Sequence, residues 1–127
     1  MIDALFNQPG YVAAQKMLDA TVLRHHAIAS NIANVETPNY KRLDVDANFG
    51  SELNRALDSG HTDTIRSLKP SLVVDSNATA ANRDGNTVKI EQELLQMNQN
   101  QLAHTLETQL ITGSLLKLRL AITGRPV

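Results

Sequence analysis

The segment from about Val88 to Ile122 constrains this chain most, because it runs for about ten helical turns without a proline. Leu95, Leu102, Leu106, Leu110, Gly113, Leu116 and Leu120 recur on one stripe of it, the spacing of a helix face. At about 1.5 Å per residue such a helix reaches roughly 50 Å, too long for one 127-residue domain to bury alone. Its other side is also unusual. Between Leu94 and Leu116 the only formal charge is Glu107, and Gln96, Asn98, Gln99, Asn100 and Gln101 fill the polar face. A solvated helix face usually carries charge pairs, so this face is expected to be covered by neighbouring protein chains, with Asn98 and Gln101 as inter-subunit polar contacts.

A second helical segment precedes it. Residues 11–33 contain neither glycine nor proline, and Tyr11, Ala14, Leu18, Val22, His25, Ala29 and Ile32 share a face. The spacing predicts that Leu102, Leu106 and Leu110 pair with Leu18, Val22 and Ile32, while Leu95, Leu116 and Leu120 extend the same apolar stripe. The expected fold is mainly α. Residues 1–34 and 88–127 form one axial core of paired, coiled-coil-like helices, and residues 35–87 form a central turn, loop and short-strand insert. That insert holds more than half of the formal charges together with Pro38, Gly60 and Pro70. Leu72–Val74 reads as a short strand, and the SNATAANRDGN run after it reads as a loop. Isolated helices gain most of their stability from packing, so both terminal segments are expected to fluctuate in a free chain and to order on assembly.

Several chemistries find no support. A net charge of −1 gives no basic patch for nucleic acid, and no stretch approaches the roughly 20 apolar residues of a membrane span. The chain has no cysteine, hence no disulfide or thiolate site. His25 and His26 are adjacent and point about 100° apart on a helix, while His61 and His104 stand alone, so no metal is expected. Asp44 and Asp46 alternate on an extended segment with no base or nucleophile placed beside them, and read as a solvated edge. Neither an enzyme nor a cofactor is indicated. The start, MIDALFNQPGYVAAQ, lacks the basic region and apolar core of a cleaved signal peptide.

The stretch ASNIANVETPNYKR, residues 29–42, ends the first helix. Asn31 and Asn34 suit its last turn, where asparagine caps frayed carbonyls and tolerates a left-handed backbone. Pro38 fixes its own φ and drives Thr37 out of the helical region, and Asn39 accepts positive φ, so Thr37–Tyr40 fits a type II turn. The run resembles the signature of flagellar basal-body rod proteins, roughly N-[ILV]-A-N-x-x-T-P-G-Y, through Asn31, Ile32, Ala33, Asn34, Thr37, Pro38 and Tyr40. Asn39 stands where that family usually has glycine. The D-G-N-T-V turn at Asp84–Val88, the E-x-E-L after it and the leucine-rich tail are similar to the proximal rod subunits, with Lys89 where those often have an acid.

The resemblance implies a structural subunit of a hollow shaft that transmits torque and surrounds an export channel. It also implies its partners: further copies of itself, other rod proteins, and the membrane ring and export gate at the rod's base. The place implied is the basal body, in the periplasmic space, reached without cleavage of a signal peptide. Another axial subunit of the flagellum, or a generic helical assembly adaptor, is the alternative.

Overall fold

The computed structural model describes residues 2–80 and 82–125. Positions 1, 126 and 127, which the axial-core expectation includes, lie outside the described residues. The architecture is mainly helical, with long N- and C-terminal helices and a two-stranded antiparallel sheet between them. A short helix α1 (Ile2–Phe6) precedes α2 (Pro9–Ala33), which Pro9 opens from a position where its missing N–H costs no hydrogen bond. The last helix runs Ile90–Thr123 and ends at Gly124, whose φ of 64° lets its N–H return to Leu120 O at 2.8 Å.

The insert is more regular than expected. It is partly β, as expected, through β1 (Leu43–Val45) and β2 (Leu72–Val74), and it also contains two helices that the expectation did not include, α3 (Ala47–Ser59) and α4 (Thr62–Ser67). Asp46 begins α3 by accepting the Asn48 N–H at 3.0 Å, and Gly60 ends it in the left-handed region. Phe49, Leu53 and Ala56, at helical spacing, then face inward. Asp46 is thus a helix cap; it does not share an extended edge with Asp44. The strands pair Leu43 with Val74, Asp44 with Val73 and Val45 with Leu72. The final helix is α5, Ile90–Thr123.

The apolar core lies between α2 and the insert. Val12, Ala13 and Ala20 of α2 meet Val45, Phe49, Leu53, Ala56 and Ile65, with Leu23, Leu68 and Leu72 at the margin. Burial of each large side chain here contributes about 1.5–3 kcal/mol. On its other side α2 packs antiparallel against α5, with residue 31 near 93 and residue 21 near 100 and 107. The buried positions of α5 are Glu93, Asn100 and Glu107, one every seven residues.

The predicted pairing of the leucine stripe with α2 therefore does not form within one chain. Leu95, Leu102, Leu106 and Leu110 are 53–62% exposed, and Leu116 and Leu120 are also exposed. On α2, Val22 is exposed while Leu18 and Ile32 are only half-buried. The physical reason is competition for α2. The insert takes the Val12, Ala13 and Ala20 side, and toward α5 the helix offers Thr21 and Asn31, which hydrogen-bond to polar partners that a leucine could not replace. Asn98 and Gln101 stay exposed, next to the leucine stripe.

Candidate assembly surface and its joint

Two features carry the functional geometry: the joint built by residues 31–42 and the uncovered face of α5. In the joint Asn31 is fully buried. Its Nδ2 donates to Leu43 O at 2.9 Å and its Oδ1 accepts the Leu43 N–H at 2.9 Å, so one side chain imitates a strand neighbour and fixes β1 to α2. The same amide donates to Glu93 Oε2 at 3.2 Å, joining α5 to both. Tyr40 reaches back with its hydroxyl 3.0 Å from Ser30 Oγ.

Asn34 caps as expected, donating through Nδ2 to Ser30 O at 2.8 Å, although its own φ of −109° is not left-handed. Thr37 Oγ1 donates to Asn34 Oδ1 at 3.1 Å, and the Tyr40 N–H closes the turn onto Thr37 O at 3.3 Å. Asn39 takes positive φ, 60°, as the turn requires. Ile32 is half-buried, and Ala33 and Pro38 are exposed.

The turn is held from outside by the Asp84–Val88 segment. Asn39 N–H donates to Asp84 O at 2.9 Å, and Thr87 N–H to Tyr40 O at 3.1 Å. Asn86 is fully buried, and its Nδ2 lies 2.8–3.0 Å from the carbonyls of Asn34, Val35 and Thr37, which have no helical partner beyond the end of α2. Gly85 passes so close that a Cβ there would lie 2.6 Å from Asn39 Oδ1, and its φ is 78°. Sequence reasoning found this segment as the end of a loop and as part of a resemblance, without a role for it. Its mechanical role follows from contacts 49 to 52 positions apart.

Beside the joint a charge network is centred on the buried Arg42 and Glu93. Arg42 bonds through Nε to the fully buried Glu93, and through Nη1 to Asp44 at 3.1 Å and Asp75 at 2.9 Å. Arg24 reaches Asp44 at 3.1 Å. Burial disfavours the charged form of Arg42, but the bonds to Glu93 and Asp44 outweigh this and raise its pKa above the ordinary value. Burial likewise pushes Asp44 up, and hydrogen bonds from Arg42, the Val45 N–H and Arg24 more than reverse it, holding the carboxyl below its ordinary range. Asp44 is therefore a network member and not the solvated edge expected of it.

Further along, Thr21 meets Glu107 Oε2 at 2.7 Å and Asn100 Nδ2 donates to Thr21 O at 3.0 Å. His25 and His26 are exposed, His104 is half-buried beside Asn100 and Gln101, and His61 precedes α4. Among the described residues, no three metal-ligating side chains converge, and no helix is long and apolar enough to cross a membrane.

No protein-family profile matches the sequence. Individual relatives do. The chain is 34% identical over 113 residues to the flagellar basal body rod protein FlgB of Aquifex aeolicus, covering 87% of this chain and 90% of the relative. It is 36% identical over 115 residues to FlgB of Borrelia hermsii, covering 76% and 83%. The chain belongs to the FlgB family of flagellar basal body rod proteins. The similarity extends at lower identity, 26% over 117 residues, to FlgB of Escherichia coli, strain K12. Membership bears out the resemblance read from residues 29–42 and from the C-terminal half, and it removes the generic adaptor as an explanation. In this FlgB-family chain the motif builds the joint described above, through Asn31, Asn34, Thr37, Asn39 and Tyr40.

Proposed function

We propose that this chain is a structural subunit of the proximal rod, polymerising with copies of itself and with other rod proteins into a hollow shaft that transmits torque and surrounds an export channel. The observation that carries this reading is the uncovered leucine stripe of α5, apolar surface on the outside of a chain whose joint is tightly closed. Residues 1–34 and 88–127 act as one axial unit, and residues 35–87 brace α2 from its other side. Leu95, Leu102, Leu106, Leu110, Leu116 and Leu120 make assembly contacts between subunits, with Asn98 and Gln101 beside them. Val22, exposed on α2, adds to the same surface; Leu18 and Ile32 serve the subunit's own packing. The working place is the basal body in the periplasmic space, next to the membrane ring and export gate.

The test replaces Leu102 and Leu106 by glutamine. The double variant is expected to unfold at the same denaturant concentration as the parent and to be missing from purified basal bodies, with motility lost. Normal motility and normal incorporation would overturn the reading.

A further inference from the structure

Between α2, α3 and α5 a groove of about 280 Å³ is lined by Met17, Ala20, Val45, Phe49, Leu53 and Glu107, among others. It has room for several waters' worth of volume, enough for one long side chain. Most of these walls are apolar, and the acid among them is unusual. Glu107 is 6% exposed, its hydrogen bond comes from the Thr21 hydroxyl, and among the described residues no cation pairs with it. Thr21 Oγ1 also lies 2.9 Å from Met17 O, so its single proton has two acceptors to serve. The other charges at the groove are occupied: Arg24 by Asp44, and Asp46 by the N–H of Asn48. A buried carboxylate that lacks a counter-charge is costly, and a cation entering the groove would offset that cost.

The same chain carries the complement. After Glu107 the sequence has no acid, and its cations are Lys117, Arg119 and Arg125. Lys117 and Arg119 are exposed on α5, interleaved with Leu116, Leu118 and Leu120, and among the described residues neither joins an ion pair. Along one helix axis they stand roughly 15–18 Å beyond Glu107, out of its reach within a copy. Between two copies displaced by that distance they coincide. We propose that the Glu107 groove takes Lys117 or Arg119 from a second copy, the alkyl stem lying against Met17, Phe49 and Leu53 and the charged end meeting the carboxylate. Groove and cation are different surfaces, so the contact is heterologous and leaves an unfilled groove at one end of the pair and a free cation at the other, the arrangement that propagates into an open helical array. The inference rests on the rod-subunit reading and adds to it a residue-level contact between copies.

The absence of cysteine from the chain makes the test clean. Asn54, on the groove's exposed rim, and Arg119 are changed to cysteine singly and together, and basal bodies are purified and oxidised. The expected result is a ladder of cross-linked dimers and higher species of this chain in the double variant, with neither single variant giving more than traces. A double variant that is incorporated normally but gives no ladder overturns the inference and leaves the rod reading standing. Cross-links to a different protein would also overturn it, since the occupant would not be a second copy. Absence of the unmodified chain from basal bodies would strike the rod reading itself and the inference with it. A charge exchange gives a second readout. Lys117→Glu with Arg119→Glu, both at exposed sites, should lower incorporation about tenfold, and adding Glu107→Lys should restore part of it. Full incorporation of the Lys117→Glu, Arg119→Glu variant would likewise sink the proposal.

Discussion

The joint and the outward face of α5 are built on opposite terms. At the joint, polar and charged groups are buried and matched: Asn31, Asn86, Arg42 and Glu93 lie inside, and each reaches several partners across α2, the turn, β1 and α5. Along the outer face of α5, large apolar groups are left in water. One region spends its chemistry on holding its own chain at a fixed angle, and the other holds apolar surface in reserve. The contrast teaches that burial of apolar residues cannot be assumed to mark the inside of a subunit whose partners are further protein chains. Here the inside of the helix pair is polar and directional, which sets register, while the non-directional apolar area faces outward.

The contrast can be broken most forcefully at Arg42. Arg42→Met strands Glu93 without its cation, and should cost roughly 3–5 kcal/mol of stability in urea unfolding, whereas adding Glu93→Leu should recover much of it. A loss under about 1 kcal/mol would mean that the network is not what closes the joint.

Gly85→Ala is the next largest change. The alanine would need positive φ and would meet Asn39, so a loss of about 1–3 kcal/mol is expected by thermal or chemical unfolding. Asn39→Gly should be tolerated by itself and should relieve part of that loss, because it removes the Oδ1 that the new Cβ meets. Asn39→Val should cost on the order of 1 kcal/mol, since β-branched residues resist positive φ.

Acid should loosen the joint before it affects the leucine face. Asp44 has a folded pKa below its unfolded value, so its contribution is complete above the ordinary aspartate pKa of about 4 and is lost as pH falls through the lower folded value. Stability measured from pH 7 downward should therefore stay level and then drop in that range, and Asp44→Asn should flatten the drop. An unchanged profile in that variant would assign acid sensitivity elsewhere. Arg42, with its pKa raised, stays charged throughout and contributes no slope there.

The smallest expected effect on the free subunit is at the leucines. Leu106→Gln or Leu110→Gln should change monomer stability by about 0.5 kcal/mol or less, at sites more than half exposed. Hydrogen exchange sharpens the same comparison: amides of residues 90–107, tied to α2 by Glu93, Asn100 and Glu107, should outlast those of residues 110–123 in dilute solution. Equal protection along the whole helix would remove the distinction between the two regions, and uniformly weak protection would extend the coupled ordering to both terminal segments.

Much of this protein was written in local sequence. Two long helices follow from apolar spacing without proline, and their observed limits, Pro9–Ala33 and Ile90–Thr123, lie within two residues of those read from the pattern. The turn at Thr37–Tyr40 and the positive φ of Asn39 are equally local, being properties of Pro38 and its neighbours. The β2 strand was legible from three consecutive apolar residues. Helix α3 had its signals in Asp46 and Gly60, but Gly50 and the surrounding serine and asparagine obscured them. What only the tertiary structure decided is which side of each helix faces inward. Periodicity locates a stripe but is silent about its partner. The choice depended on the insert occupying the Val12, Ala13 and Ala20 side of α2, and on Asn31 and Thr21 offering hydrogen bonds to Glu93 and Glu107. Those contacts join residues 62 and 86 positions apart, and no local rule of spacing can see them.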